Sequence, residues 1–324
     1  MGTLIITNGD SAADLLAEAG RDGVILPWRD VLHEGPITAG PLAEQSRIRA
    51  AFLAERLNLN PDEVHSTFVE RDTIIGDQRR YDTIELWFEH DLYDQLQVVQ
   101  ILSVLAGDNR TDRVTFVQAD DFIATQRPDT VLRFAEKARP IDAADLQFGA
   151  ALWADLAAST PRPTVSKLPE VPAGFPFLGP ALRRFLEELP GKNGLSRTET
   201  TILTLIDQGI HEPIRVFPET LAAEEAAFMG DNTFFAIVDD LLGAPTPLIT
   251  GVDRIVNVAD QIDHLRSSRL SLTEAGRAVL GGTADHVALD GVNRWWAGTR
   301  LEGRDVWRYD RDAAALVPPR ASAA

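Results

Sequence analysis

The first 150 residues alternate between two hydrophobic periodicities. TLIIT (3–7), GVILP (23–27), DTIELWF (82–88) and RVTFVQ (113–118) are short, almost wholly apolar runs. That is the pattern of strands buried on both faces of a parallel sheet. Between them lie patterns with helical spacing: one follows Ser11, one covers PLAEQSRIRAAFLAERL (41–57), one follows Pro61 and one starts at Asp91. The alternation predicts an α/β fold, a small doubly wound parallel sheet of about four strands in the order 2-1-3-4. The stretch IDAADLQFGAALWADLAAS (141–159) predicts a helix that closes this Rossmann-like domain, residues 1–160.

The second half has a different rhythm. Residues 161–180 hold six of the 19 prolines, which predicts an extended, semi-rigid connector leading through the helical GPALRRFLEEL, together 161–194. LSRTETTILTLIDQG predicts a helix with Ser196 as N-cap and Glu199 completing a capping box. A helix over NTFFAIVDDLLG (232–243) and short runs at PLIT, RIVNV and SRLSLTEAGRAVLGG follow. Helices and then short strands predict a winged-helix-like α+β domain over 195–286, and SRLSLTEAGRAVLGG resembles the last wing strand and following helix of many bacterial winged-helix proteins. The tail, 287–324, carries RWWAGTRLEGRDVWRYD, expected to form a β-hairpin turning at Glu302-Gly303.

Charge narrows the partners. The net charge is −18, and residues 1–150 account for −12 of it (14 basic against 26 acidic), residues 195–286 for −8 (6 against 14). A protein that holds nucleic acid through nonspecific phosphate attraction shows a basic face, so strong sequence-independent binding is disfavoured. There is no Cys, which excludes disulfides, thiolate nucleophiles and Cys-ligated metals. No apolar run reaches a membrane span, and MGTLIITNGDS has neither a basic region nor a cleavage site. A cytoplasmic location and no membrane partner are expected; the oligomeric state is left open.

In an open parallel sheet, ligands bind beyond the carboxyl ends of the strands, where the strand order reverses. The order 2-1-3-4 brings the residues after strand one, Asn8-Gly9-Asp10-Ser11, beside those after strand three, Glu89-His90-Asp91. Plain structural roles exist for each: a positive φ at Gly9, a helix cap from Asp10, Ser11 or Asp91. Three ionisable groups at one strand end nevertheless exceed the need for one cap, and buried charges are costly without partners. A third cluster, PWRDVLHEGP (27–36), succeeds strand two and brings Trp28, Arg29, Asp30, His33 and Glu34 to the same edge. Its plain reading is a surface loop with an Arg29–Asp30 ion pair and an exposed His33.

The chain has no G-x-x-x-x-G-K-[ST], no G-x-G-x-x-G after strand one and no G-x-S-x-G. His90 and Asp94 stand four apart and His33 could join them, but His33-Glu34 lacks the second His of H-E-x-x-H, so neither a metal nor a cofactor is expected. Acid/base work by carboxylates and histidine remains. Asp10 and Glu89 are the expected water-activating or cation-stabilising carboxylates, with His90 or Asp91 as proton donor. Asn8 and Gln95 would read an amide or base edge, Trp28 would stack on a ring, and Ser11, Arg29, Asp30, His33, Glu34 and Asp94 would complete the substrate contacts. Trp87, inside a strand, reads as core. Arg294 and Arg308, among the tryptophans of the tail, would contact phosphate or unpaired bases. The expected activity is hydrolysis of a nucleotide or nucleic-acid substrate, with an N-glycosidic bond as the expected target, since its cleavage needs neither metal nor thiolate. The alternative is a ligand-sensing winged-helix regulator whose α/β pocket is not catalytic.

TNGDSAA, PWRDVLHEGP and LWFEHDLYDQLQ, with RWWAGTRL and VWRYD near the end, resemble an uncharacterised bacterial family known as domain of unknown function 1835. The likeness covers the first 120 residues and returns in the last thirty. It implies a single established architecture and carries over no activity or catalytic residue. Ala297 departs from the pattern, standing where a second Gly before Gly298 is expected.

Overall fold

The apolar runs form the strands of one sheet. The computed structural model describes residues 2–107, 113–255 and 258–320. Its first half runs β1 (Thr3–Thr7), α1 (Asp10–Glu18), β2 (Val24–Pro27), α2 (Leu42–Arg56), α3 (Pro61–Gly76), β3 (Thr83–Phe88), α4 (Leu92–Gly107), β4 (Val114–Gln118), α5 (Pro128–Val131), β5 (Arg139–Pro140) and α6 (Ala143–Leu156). The sheet order is β2-β1-β3-β4-β5, with the first four strands parallel and β5 antiparallel to β4. The predicted four-strand order is therefore present, extended by an edge strand of two residues. Such a strand is too short to show a period, and Pro140 is tolerated there because an edge leaves a backbone donor unneeded.

Successive side chains of the central strands enter different cores. Ile5, Trp87 and Val117 pack with Leu16 of α1 and Val131 of α5. Leu4, Ile6, Leu86 and Phe116 pack with Leu96 and Leu102 of α4 and Leu152 of α6. Both faces are covered, as the near-continuous apolar strands require. Trp87 is core, its indole N–H donating to Glu85 Oε2 at 2.8 Å.

The second half continues with α7 (Arg162–Lys167), α8 (Leu178–Leu186), α9 (Arg197–Asp207), α10 (Pro213–Ala222), α11 (Asp231–Gly243), β6 (Ile249–Thr250), α12 (Val258–Ser267), β7 (Ser271–Leu272), α13 (Glu274–Leu280), α14 (His286–Asp290), β8 (Val292–Trp296), β9 (Thr299–Gly303), β10 (Arg308–Asp310) and β11 (Ala315–Val317). Ser196 caps α9 by accepting from Glu199 N while Glu199 reaches back to Ser196 N, the predicted capping box. β6 and β7 pair antiparallel, as do β8 with β9 and β10 with β11. The run RIVNV lies partly outside the described residues, and its last residue, Val258, opens α12. No helix among the described residues is long and apolar enough to cross a membrane.

Two expectations are corrected. The proline-rich segment is not an extended spacer: α7 and a 3₁₀ turn at Leu168–Glu170 occupy its first part, with Pro163 in the first turn of α7, where a missing N–H is harmless. Phe175 is buried, its ring 5.7 Å from that of Phe116, so the segment is packed onto the sheet domain. The tail hairpin turns at Ala297-Gly298, not at Glu302-Gly303. Gly298 N donates to Leu156 O at 2.7 Å, and a Cβ there would lie 2.3 Å from Ala157 O, so the turn docks on the end of α6 where only glycine fits. Trp296 secures the same hairpin, stacking 4.6 Å from Phe185 and donating to its carbonyl at 2.7 Å.

Candidate functional site

The topology does bring the ends of β1 and β3 together. Asn8 Nδ2 donates to Asp94 Oδ2 at 2.9 Å, and the other Asp94 oxygen accepts from Glu89 N at 2.6 Å. Asp91 Oδ1 accepts from Asp94 N at 3.1 Å, which caps the first turn of α4. Gln95 Nε2 donates to Glu89 O at 2.7 Å, and Glu89 Oε1 accepts from Ile123 N at 2.7 Å, tying in the loop after β4. Tyr93 adds a hydrogen bond from its hydroxyl to Asn8 O at 3.2 Å.

The result is three buried carboxyl groups, Glu89, Asp91 and Asp94, with one oxygen from each lying within 4.8 Å of the others. No Arg or Lys among the described residues pairs with any of them. Burial pushes all three pKa values up. Asp91 reaches about 8, with the charge of Glu89 as the second cause; Asp94 is raised well above the carboxylate range by burial and by Asp91 and Glu89 together. Glu89 is raised by burial, opposed by its hydrogen bonds to the backbone at Ile123 and to Asn8. Like charges in low dielectric cannot all ionise, so the cluster holds protons or a cation. Its hard oxygen donors are of the kind that hold Mg²⁺, Mn²⁺ or Ca²⁺.

The other expected members are elsewhere. Asp10 is exposed and forms a bidentate pair with Arg29, with Arg29 Nε 2.9 Å from Asp10 Oδ2, which holds its carboxyl below the usual range. Arg29 adopts φ 55 and takes this partner instead of Asp30. Gly9 is extended, at φ −170, and precedes α1 without needing glycine's freedom; Ser11 is exposed and caps nothing. His90 precedes the first turn of α4, so the expected i, i+4 relation to Asp94 does not form. Its ring, half-buried, lies 5.1 Å from Phe122 and 5.9 Å from Phe177, and burial lowers its pKa. A neutral imidazole is a poor proton donor.

The loop after β2 is structural rather than exposed. Trp28 is buried, donating to Gln100 Oε1 at 2.7 Å with the Arg71 guanidinium 4.4 Å over its ring, and cannot stack on a ligand. Asp30 is fully buried against Arg49 at 2.9 Å and Arg71 at 3.7 Å. His33 is buried between Tyr93 and Phe228. Glu34 pairs with Arg56 at 2.9 Å. Arg294 pairs with Glu199 at 2.7 Å, and Arg308 with Asp285 at 2.8 Å. His33, Glu34 and Arg294 line a separate cavity, which Asp10, Glu89 and His90 do not.

Sequence reasoning placed Asp94 and Gln95 among substrate contacts, whereas their side chains knit the carboxyl cluster itself. The signal was available: Asp91 and Asp94 stand three apart at a helix start, the spacing that turns both toward the same end. No family model matches the chain, and no curated protein matches it, so the likeness carried by its motifs stays a resemblance.

Proposed function

We propose that the chain is a hydrolase whose carboxyl cluster at the sheet edge performs acid–base chemistry on a nucleotide or nucleic-acid substrate, with N-glycosidic cleavage as the reaction. The observation that carries this reading is the convergence of Glu89, Asp91 and Asp94 with no Arg or Lys paired to them among the described residues. Asp91 keeps its proton to about pH 8 and supplies the acid; Glu89 is the base or cation-stabilising carboxylate. Asn8 orients Asp94, and Gln95 orients the Glu89 backbone. His90, neutral and set among aromatic rings, flanks the substrate rather than donating to it.

Small substrates fit better than duplex DNA. In the helical segment beyond the connector, Arg197, Arg215, Arg254, Arg266 and Arg269 all face acidic partners. Arginines so committed leave little charge for phosphates. The order α9, α10, α11, β6, β7, α13 supports a winged-helix-like module that departs from the common form by enclosing α12 between its strands. Its role in this reading is to pack against the sheet domain.

The test is incubation of the protein with nucleosides, nucleotides and single-stranded DNA, with mass spectrometry for released base. Release that is lost in Asp91→Asn and Glu89→Gln supports the proposal; no release from any substrate sinks it. A second reading rests on the same three carboxylates: a bound divalent cation assisting phosphoester hydrolysis. It gives inorganic phosphate or a nucleotide instead of free base and is abolished by a chelator.

A further inference from the structure

A cavity of about 580 Å³ lies between the two halves of the chain, walled by the loop after β2, α2, α9, α11, α14 and the β8–β9 hairpin. The chemistry proposed above makes no use of it. Its walls carry six carboxylates, Glu34, Glu188, Glu199, Asp240, Asp290 and Glu302, against three arginines, Arg56, Arg294 and Arg300. Three basic minus six acidic groups leaves a formal balance of −3 among the lining residues, of which Arg184 behind the wall, 2.7 Å from Glu188, offsets one. Two arginines are committed, Arg56 to Glu34 and Asp240 and Arg294 to Glu199. Asp290 accepts from Thr246 N and Oγ1, both neutral donors, and exposed Glu302 has no ion-pair partner among the described residues. Trp295 is half-buried in the same wall, and the Arg300 guanidinium sits 5.1 Å from its ring, a position suited to a cation.

The second observation is His33. It is only 7% exposed, lines the cavity and has no hydrogen-bond partner among the described residues at either ring nitrogen. Burial lowers its pKa to about 3, so the ring is neutral and offers one donor and one acceptor. A buried polar group without partners is costly, and a ligand that met it would remove that cost.

We propose that this cavity binds a small organic cation, a primary ammonium with a neighbouring hydroxyl or second amine, as in a polyamine or an amino sugar. The ammonium meets the acidic wall at Asp290 and Glu302 beside Trp295, and the neighbouring group satisfies His33. Anionic ligands are opposed by the surplus of carboxylates and by the prior commitment of Arg56 and Arg294.

Calorimetric titration of the full chain with spermidine and, separately, with glucosamine tests this and distinguishes the two sources. Saturable one-site binding of at least one amine is expected, weakened by about tenfold or more in both Glu302→Gln and Trp295→Ala and by added salt. Glu302 is exposed, so its variant keeps the fold, and thermal melts identify any variant that does not. Adenosine monophosphate and inorganic phosphate, titrated alongside, are expected not to bind. Failure of both amines to bind, amine affinity unchanged in Glu302→Gln, or binding of the phosphate probes in their place overturns the assignment.

Discussion

Asn8 Nδ2 donates to Asp94 Oδ2 at 2.9 Å, joining two residues 86 positions apart. This bond is the point at which the crossing of the sheet becomes a site, because it fixes a β1 loop to the carboxyl cluster after β3. Removing the donor in Asn8→Ala leaves a buried Asp94 oxygen without its partner and is expected to lower stability by about 1–3 kcal/mol. Asn8→Asp is expected to cost more, since it sets a fourth carboxyl group against three. Urea denaturation at neutral pH measures both. Equal stability of Asn8→Asp and the parent chain would contradict the tight grouping.

That crossing was legible in the sequence because parallel strands buried on both faces are continuous apolar runs, and their order is set by where helices can leave. TLIIT and DTIELWF therefore predicted the meeting of Asn8 with the cluster after Phe88. Direction could not be read. Asp10, the first residue of α1, turns outward to Arg29, and no periodicity in a loop of two residues distinguishes that from turning inward. The loop after β2 misled for a related reason. Its charges look exposed in sequence, but Asp30, Arg49 and Arg71 compensate one another inside, and Arg49 and Arg71 sit on helices 19 and more residues away. The proline-rich segment failed because proline density marks either an open spacer or helix starts, and only packing, here Phe175 on Phe116, decides.

The buried Asp30 network gives a stability prediction. Asp30 Oδ1 accepts from Arg49 Nε at 3.0 Å, and Arg71 lies 3.7 Å from Oδ2. Asp30→Ala leaves the Arg49 guanidinium buried without a carboxylate, while Arg71 keeps Asp72 at 2.9 Å, and is expected to cost about 3–5 kcal/mol. The loss should be local first, with amide exchange accelerating in α2 and α3, which carry the two arginines. Hydrogen exchange monitored by mass spectrometry checks this; unchanged protection there would count against the network as the support of those helices.

The tail turn predicts effects of opposite sign at adjacent residues. Ala297 holds φ 50, a conformation that L side chains resist, so Ala297→Gly is expected to stabilise by up to about 1 kcal/mol. Gly298→Ala forces a Cβ to 2.3 Å from Ala157 O and is expected to destabilise by about 1–3 kcal/mol. Melting temperatures of the two variants should move in opposite directions. Movement in the same direction would mean the hairpin does not dock on α6.

His33 and Asp91 predict a pH profile with two opposing slopes. The His33 pKa falls from 6.5 unfolded to about 3 folded, so the unfolded chain binds the extra proton between these values. Its contribution to stability is complete above pH 6.5 and is lost on acidification toward 3, by about 1.4 kcal/mol per pH unit at most. The Asp91 pKa rises from 3.8 to about 8, so there the folded chain binds the extra proton, and stability falls as pH rises through that range. Between 3.8 and 6.5 these two slopes oppose each other, whereas from 6.5 to 8 that of His33 is gone and that of Asp91 remains, in the same direction as that of Asp94, whose carboxyl is also pushed up. Asp91→Asn removes the Asp91 slope and should therefore gain on the parent chain with each step from pH 6.5 to 8. His33→Leu should gain on it with each step downward from 6.5. Stability curves from urea unfolding across pH 4 to 9 decide the matter, because parallel profiles for parent and Asp91→Asn above pH 6.5 would mean that Asp91 is already ionised in the folded chain and cannot serve as the acid.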